Sequence, residues 1–470
     1  MTRVIEPLQK GMRYTDYGEL ARFPWVNTMC QIFLICLLSV AGCQAPQVVS
    51  EKGFTNLFDG QSLKGWTLLN PKGSGFSVTN LVENASTNAV IFCAKGGGGN
   101  LMSEKQYSDF ILRFDFKLTQ GANNGLAIRA PMQAGSLAYD GIELQILDNS
   151  AAKTRYKKKL RPEQFHGAVY DVIAPARFNG QKPVGQWNTQ EVTALGRKLT
   201  VKVNGKIIIN ADLNSVKNPA TLLKHPGILR SSGHIGFLGH NDEVYFRNIR
   251  IKELSRVELD NKTPAGFRAL FNGHSLAGWR GVLAAPNNNP IRRAKLKGDL
   301  LVVAQAKADE TMLAHWRVVG GELVFDGKGK SLSTGRHDYG NYELLIDWKI
   351  GPKGDSGVYL RGTPQVQIWD PRTDDHPKAA LGSGGLYNNK ISVSDPLVKA
   401  DYFTGSWNRF SILMIESRVH VFLNGQLVVK NTPLENYWDR EQPIFPSGPI
   451  ELQAHGNPLW FKNIYIREIK

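Results

Sequence analysis

The chain has 470 residues, with 57 Lys and Arg against 41 Asp and Glu, which gives a formal net charge of +16. This length is too great for one hydrophobic core and predicts two domains of about 200 residues each. The 47 Gly and 23 Pro, together with many aromatic and β-branched residues, favour an all-β protein with frequent turns. The basic residues are scattered outside Lys153–Arg161, and no zinc-finger, helix-turn-helix or RNA-recognition pattern accompanies them, which argues against nucleic acid as a partner.

Residues 1–42 are predicted to be a lipoprotein signal peptide. Arg13 and Arg22 precede the apolar run Ile32–Leu38, which is too short to span a membrane. The run ends in Leu-Ser-Val-Ala-Gly-Cys43, which resembles a bacterial lipobox, and the resemblance implies cleavage before Cys43 and a lipid on its sulfur. The lipid would be the contact with the membrane and would place the protein in the bacterial cell envelope, periplasmic or attached to the outer membrane. The alternative is an ordinary buried apolar helix. Residues 43–53 are predicted to be a linker.

An internal repeat divides the rest of the chain. Phe54–Trp66 and Phe267–Trp279 share the pattern Phe-x-x-Leu-Phe-(Asp/Asn)-Gly-x-Ser-Leu-x-Gly-Trp, in which Asp-Gly and Asn-Gly predict turns between aromatic anchors. A repeat of roughly 210 residues is too long for a solenoid and fits tandem domains. We therefore predict a first domain at 54–254, a linker at 255–266 and a second domain at 267–470.

Each half then contains a short strand that ends in arginine and a second strand in which polar and apolar residues alternate. These pairs are Gly125–Arg129 with Glu143–Asp148, and Gly357–Arg361 with Gln365–Asp370. Because side chains alternate along a strand, Glu143 and Gln145 should share one face, as should Gln365 and Gln367. Polar side chains of this kind are costly to bury without partners, so we expect them to line a polar groove.

Further motifs recur in the same order in both halves. They are His166–Tyr170 and Gly384–Tyr387, Gln186–Asn188 and Ser406–Asn408, Leu199–Gly205 and Val419–Gly425, and Gly236–His240 and Glu451–His455. An insert interrupts each half, at 130–141 and at 281–316. The second insert is partly helix-prone, and the sequence assigns it no role.

Taken in order and in duplicate, these motifs resemble the DUF1080 family, the 3-keto-disaccharide hydrolases. The motifs that carry the resemblance are Phe-Asp-Gly, Gly-x-x-x-Arg, Glu-x-Gln-Ile-Leu-Asp, Trp-Asn, Asn-Gly and Phe-Arg-Asn-Ile. The resemblance covers Phe54 to Ile469 and implies two tandem concanavalin A-like β-sandwich (jelly-roll) domains. Short alternating strands and frequent turns favour a sandwich independently.

The resemblance also implies a reaction, the cleavage of glycosides already oxidised to a ketone at sugar C3. The ketone acidifies the C2 proton, so elimination needs a base near C2 and a donor for the enolate oxygen, after which water adds to the enone. The partner would be an oxidised saccharide, with a functional link to a sugar 3-dehydrogenase that makes it. No cofactor is predicted; a divalent metal stays open, although no tight ligand spacing occurs.

The residues that match the motifs give the predicted site. The predicted catalytic residues are Glu143 or His166 as base, Arg129 as donor to the enolate oxygen, and Asp148. The predicted substrate contacts are Gln145, Tyr170, His240, Arg361, Gln365, Gln367, Asp370, Tyr387 and His455.

Two other functions are alternatives. Glu143-x-Gln145-x-x-Asp148 has the spacing of the Glu-x-Asp-x-x-Glu signature of retaining glucanases, which need two carboxyls about 5–5.5 Å apart. A sugar-binding module would instead hold a saccharide without reacting, with Tyr359 and Trp369 as exposed aromatic contacts.

Several predicted site residues also have structural alternatives. Arg129 and Arg361 could instead pair with a buried carboxylate. His166 and His240 could be structural histidines, and Asp148 and Asp370 could cap turns.

Overall fold

The computed structural model describes residues 51–133, 136–152, 160–176, 180–255, 259–363 and 365–470. The predicted signal peptide, Cys43 and most of the linker at 43–53 lie outside these ranges, as does most of the basic cluster at 153–161. Among the described helices, none combines the length and apolar character that crossing a membrane requires.

The first half forms a sandwich of two antiparallel sheets. Its elements are β1 (Thr55–Asn56), β2 (Trp66–Lys72), β3 (Phe76–Glu83), β4 (Ser86–Cys93), β5 (Gly98–Tyr107), β6 (Phe110–Leu118), β7 (Asn123–Ala130), α1 (Leu137–Asp140), β8 (Ile142–Leu147), β9 (Trp187–Leu195), β10 (Lys198–Val203), β11 (Lys206–Asp212), α2 (Pro219–Lys224), β12 (Gly233–His240) and β13 (Val244–Glu253). One sheet has the order β11-β10-β9-β6-β13-β4-β3, with β1 paired to β13. The other has the order β2-β5-β12-β7-β8.

The second half repeats this arrangement. Its elements are β14 (Arg268–Ala269), β15 (Trp279–Gly281), α3 (Pro290–Arg293), α4 (Gly298–His315), β16 (Trp316–Val319), β17 (Glu322–Phe325), β18 (Leu332–Thr334), β19 (Tyr342–Ile350), β20 (Asp355–Leu360), β21 (Gln365–Trp369), β22 (Asn408–Ile415), β23 (Arg418–Leu423), β24 (Gln426–Pro433), β25 (Ile450–Leu452) and β26 (Leu459–Glu468). The sheets have the orders β16-β17-β26-β19-β22-β23-β24, with β14 on β26, and β15-β18-β25-β20-β21.

Strand β6 shows how the sequence pattern builds the core. Its residues alternate between buried and half-buried over its whole length, as the pleat of a strand requires. Across the sandwich, Phe237 of β12 stacks on Phe246 of β13 with ring centroids 4.0 Å apart, which joins the two sheets. The all-β class and the two tandem sandwiches are therefore confirmed.

Each five-stranded sheet packs one face on the core and turns the other away. The strand registers align one outward row in each sheet. In the first sheet this row is Thr67, Met102, Gly236, Ala127 and Glu143. In the second it is Arg280, Ser333, Glu451, Tyr359 and Gln365. We call these outward faces the first and second polar faces.

A buried ion-pair cluster joins the two sandwiches. Glu343 on β19 is fully buried and pairs with Arg467 of its own half at 2.7 Å and with Arg197 of the first half. Leu413, Ile415 and Phe422 of the second half also pack into the first core. The described residues from 51 to 470 therefore belong to one compact unit.

Candidate functional site

The first polar face brings Glu143 and Gln145 together at its edge strand. Strand β8 pairs with β7 in an unbroken register that places Ala127 opposite Glu143 and Gly125 opposite Gln145. The residues that alternate with them along the strand, Leu144 and Ile146, belong to the core, as the alternation predicts.

Tyr170 extends this sheet edge beside Glu143. Its backbone N–H donates to the Glu143 carbonyl at 2.9 Å, and Val169 forms a bridge with Leu144. Because the segment continues the pairing of β8, Tyr170 lies next to Glu143, where the sequence placed a substrate contact. Its side chain is half-buried, and the hydroxyl lies 3.5 Å from Gln164 Nε2.

The Glu143 carboxylate lies directly over Gly125. A Cβ at position 125 would be 2.1 Å from Glu143 Oε1, so the absence of a side chain there makes room for the carboxylate. Glu143 as a whole is 4% exposed, yet neither of its carboxylate oxygens receives a hydrogen bond from a residue that the structure describes. The ionisable group nearby is His240, whose Nε2 is 3.9 Å from Oε1 and whose side chain is half exposed. Such a carboxylate is available to a ligand.

The rest of the first face is amide and apolar. Gln145 Nε2 donates to Asn123 Oδ1 at 2.5 Å, which fixes the orientation of the amide. Met102, Ala127 and Leu238 form a small apolar cluster with Leu137, which the first insert contributes. The face thus places one carboxylate and one histidine beside an apolar patch.

Arg129 does not reach this face, so its predicted catalytic role is wrong. Its guanidinium donates to the carbonyls of Ser108 at 2.7 Å and Gly196 at 2.7 Å, and pairs with Asp109 at 3.1 Å. Its φ of +49° interrupts the extended geometry one residue before β7 ends and breaks the alternation that would have turned it outward. The structural alternative, pairing with a buried carboxylate, is confirmed for Arg129.

Arg361 has the equivalent position in the second half, and its predicted substrate contact is also wrong. Its φ is +56°, and its guanidinium donates to the carbonyls of Gly340 at 2.7 Å and Phe445 at 3.2 Å. Both arginines tie loops together at the end of the sheet.

Asp148 and Asp370 cap turns. Asp148 Oδ2 accepts from Gly121 N at 2.8 Å, and its Oδ1 accepts from the Ser150 hydroxyl at 2.6 Å. Asp370 accepts in the same way from Lys353 N at 2.9 Å and from the Thr404 hydroxyl at 2.6 Å. The predicted catalytic role of Asp148 and the substrate contact of Asp370 are therefore wrong.

His166 is buried inside the first sandwich. Its ring stacks on Phe116 at 5.0 Å, and its Nδ1 accepts from Leu147 N at 3.2 Å. Burial lowers the pKa of His166 to about 3, so the ring is neutral in the folded protein. A fully buried neutral imidazole cannot reach a saccharide, and the prediction of His166 as base is wrong.

The second polar face is centred on Glu451, which the sequence analysis missed. Glu451 lies on the middle strand β25 between Ser333 and Tyr359, and Arg293 of the second insert donates to its Oε1 at 2.9 Å. Burial raises the pKa of Glu451 above its usual range although Arg293 opposes this shift. The aligned residue of the first half is Gly236, and this difference was the signal available in the sequence.

The predicted contacts Gln365 and Gln367 are hydrogen-bonded to each other on this face, and His455 lies beside them at Asp355. Gln365 Nε2 donates to Gln367 Oε1, and Gln367 Nε2 donates to Asp355 Oδ1 at 2.7 Å. His455 Nδ1 lies 3.5 Å from Asp355 Oδ2. The structure thus brings these three predicted residues together.

Tyr387 lies beyond the edge of the second face. Its hydroxyl is 3.3 Å from His376 Nε2, and its ring contacts Trp369 edge-on at 5.8 Å. Trp369 is 5% exposed, so the expectation of an exposed aromatic at this position is wrong. Tyr359, by contrast, is half-buried and faces outward.

Within the described ranges, no group of three or more His, Cys, Asp or Glu side chains is arranged to hold a metal ion.

Two outward polar faces on tandem β-sandwiches define a protein of the lectin-like sandwich class. A family model described as the 3-keto-alpha-glucoside-1,2-lyase-like domain matches residues 53–252 and 266–467. The chain therefore belongs to this family and carries the domain twice, which confirms the resemblance deduced from the motifs.

A curated relative and several solved structures are similar to this chain. The 3-keto-disaccharide hydrolase of Bacteroides thetaiotaomicron is 26% identical over 240 residues, which cover 44% of this chain and 80% of the relative. A candidate glycosyl hydrolase of Parabacteroides distasonis is 22% identical with a TM-score of 0.36, over 44% of this chain and 99% of that one. A carbohydrate binding module of Bacillus subtilis is 15% identical with a TM-score of 0.25, over 40% and 96%. The family and the curated relative support a glycoside hydrolase-like function.

Proposed function

We propose that the chain cleaves glycosides that carry a ketone at sugar C3, by elimination on the first polar face with Glu143 as base. The observation that carries the proposal is the Glu143 carboxylate, held over Gly125 and free of hydrogen bonds from the described residues. A carboxylate that is already bound to donors, as at Asp148, would have to lose those bonds before it accepted a proton.

The proposed reaction has two stages. Glu143 removes the C2 proton, the electrons of that C–H bond form the enolate at C3, and the C1–oxygen bond breaks as the enone forms. The leaving oxygen takes a proton from His240, which lies at the exposed end of β12. Water then adds at C1 and a proton returns to C2, so the sum of the two stages is hydrolysis. The term 1,2-lyase in the family's description fits the elimination stage, and the term hydrolase in the relative's name fits the sum of the two stages.

The donor to the enolate oxygen is not Arg129, whose guanidinium is engaged elsewhere. In its place we propose the Tyr170 hydroxyl, because Tyr170 lies beside Glu143 on the same sheet edge. A positioned donor stabilises the charge that develops on the carbonyl oxygen during proton abstraction.

Retaining hydrolysis, in contrast, finds no support in the geometry. Asp148 lies five residues beyond Glu143, which is roughly 16 Å along an extended strand, and an odd spacing turns it to the opposite face. The register of β8 has no bulge that would bring it back.

The test compares a 3-keto-disaccharide with its unoxidised parent. We expect cleavage of the keto form alone, with solvent deuterium at C2 of the product when the reaction is run in D₂O. Glu143→Gln should lower kcat/KM by about 100-fold or more, while Glu451→Gln, the matched change on the second face, should retain activity. Cleavage of the parent, no deuterium at C2, or full activity of Glu143→Gln would each contradict the proposal. Binding without turnover would make the protein a sugar-binding module.

We also propose, from the lipobox sequence, that the protein is a lipoprotein of the cell envelope. Cys43→Ala should abolish incorporation of labelled fatty acid, and incorporation that persists in this variant would contradict it.

A further inference from the structure

The second polar face has a different charge from the first. Arg280 lies on its edge strand, in the position that Thr67 has on the first face, and its charge acts on His337 together with that of Arg293. Partial desolvation and the positive charges of Arg293 and Arg280 lower the pKa of His337, so both guanidinium groups act at the same place. This edge of the face is therefore positive.

Among the described residues, Arg280 has no partner for its charge. Arg293 pairs with Glu451 at 2.9 Å, but Arg280 forms neither a hydrogen bond nor an ion pair with any described residue. It is exposed on the edge strand β15, in the same outward row as Glu451. A planar guanidinium with free N–H groups is suited to an anionic carboxylate or sulfate group.

The middle and the opposite edge of the face have acceptors that no described residue uses. Gln365 is 3% exposed, and neither its Oε1 nor the Oε1 of Gln453 has a hydrogen-bond partner among the described residues. Gln453 lies two residues beyond Glu451 and reaches the Tyr359 hydroxyl through Nε2 at 3.3 Å. Buried acceptors without donors are costly, and saccharide hydroxyls would supply the missing donors.

We propose that the second polar face is a separate binding site for a saccharide with an anionic substituent, a carboxylate or a sulfate, which Arg280 recognises. The sugar hydroxyls lie toward Gln365 and Gln453, and the anionic group lies at Arg280. The row from Arg280 to Gln365 crosses four strand spacings of about 4.8 Å, roughly 19 Å in all, so the ligand has several sugar rings. The second insert contributes by bringing Arg293 onto Glu451, which holds that carboxylate and reduces its repulsion of the anion.

The test measures binding to the full chain that carries Glu143→Gln, so that turnover on the first face plays no part. The probes are trigalacturonate with its methyl ester, and sulfated galactotriose with unsulfated galactotriose, titrated by calorimetry. We expect one anionic probe to bind at least about tenfold more tightly than its neutral counterpart, and to weaken as salt is added. A preference within the galacturonate pair would identify the anionic group as a carboxylate, and a preference within the galactotriose pair would identify it as a sulfate.

Arg280→Gln should remove this preference and leave the affinity for the neutral probe unchanged. Because Arg280 is exposed and makes no bond in the described structure, the variant should unfold at the same temperature as its parent. The control is Arg317→Gln, an exposed arginine of β16 on the other sheet, which should retain the preference. Equal binding of charged and neutral probes, or a preference that survives Arg280→Gln, would overturn the proposal. Neither result bears on keto-sugar cleavage, which the wild type reports separately.

Discussion

Substitution of Gly125 by alanine tests the placement of Glu143 without touching the carboxylate itself. The new Cβ would lie 2.1 Å from Glu143 Oε1 and 2.8 Å from its Cδ, where ordinary contact begins at 3.4 Å. The carboxylate must therefore move by more than 1 Å. The displaced atoms belong to the end of a flexible side chain, so the backbone has no need to shift.

The expected effect is large on activity and small on stability. A displacement of roughly 1 Å at a reacting group costs on the order of 100-fold in rate, which is about 2.7 kcal/mol of transition-state stabilisation. The free energy of unfolding should change by no more than about 1 kcal/mol, since no core atom is lost. The assay is kcat/KM on the 3-keto-disaccharide, with urea unfolding of the same preparation.

The second half offers a matched control. In Gly357→Ala the Cβ would lie 3.0 Å from Gln365 Cδ, so the same substitution shifts an amide on the second polar face. This variant should keep wild-type cleavage of the keto-sugar. Either of two results would contradict the role of Glu143 as base. One is cleavage by Gly125→Ala at the wild-type rate, and the other is a loss of activity in Gly357→Ala as large as that in Gly125→Ala.

Three further predictions concern stability. Arg129→Met should lower the free energy of unfolding by about 3 kcal/mol or more, because it removes the guanidinium that pairs with the buried Asp109 carboxylate. The kcat per folded molecule should stay unchanged, and a selective loss of kcat would restore Arg129 to the site. Glu343→Gln should destabilise by about 3–5 kcal/mol in urea unfolding, because Arg197 and Arg467 lose their shared anion; an unchanged midpoint would contradict a joining role. The lowered pKa of His166 means that the unfolded chain binds a proton that the folded protein excludes, so stability should fall as pH drops from about 6.5 toward 3, by up to about 1.4 kcal/mol per unit. Unfolding of His166→Gln at several pH values should show a shallower dependence, and an equal slope would refute this contribution.

The fold could be predicted because it rests on local patterns that repeat. Strand alternation identifies the inward residues of β6 and β8 without any knowledge of their neighbours, and the duplicated Asn-Gly turns mark where strands reverse. The same alternation correctly placed Glu143 with Gln145, and Gln365 with Gln367, on outward faces. These inferences need only the pleat of a strand.

The errors occur where a strand ends. Arg129 is an even number of residues from Gly125, so alternation predicts that both face outward, but a positive φ at Arg129 turns its side chain toward the loops. Asp148 follows the last residue of β8 at an odd spacing from Glu143, so the alternation itself turns it away from the face of Glu143, and turn N–H groups bind its oxygens. A one-residue departure from extended geometry is invisible in the alternation, and it decides whether a polar residue reaches the face.

Glu451 was missed for a different reason, since its importance depends on strands that are distant in the sequence. It becomes central only when β25 lies between β18 and β20 and when an insert more than 150 residues earlier brings Arg293 onto it. Chain order gives no register between such strands. The insert, to which the sequence assigned no role, thus completes the second face.

The two faces differ in a complementary way, which argues that the repeat has diverged in use. In the aligned rows, the first face has small residues at Gly236 and Ala127 and its carboxylate at the edge, at Glu143. The second face fills these two inner positions with Glu451 and Tyr359 and has an amide, Gln365, at the edge. A carboxylate that is free of donors can accept a proton, whereas one that is held by a guanidinium cannot do so without losing that bond. The fold is therefore common to both halves, while the strand that carries the carboxylate differs between the face on which we propose reaction and the face on which we propose binding.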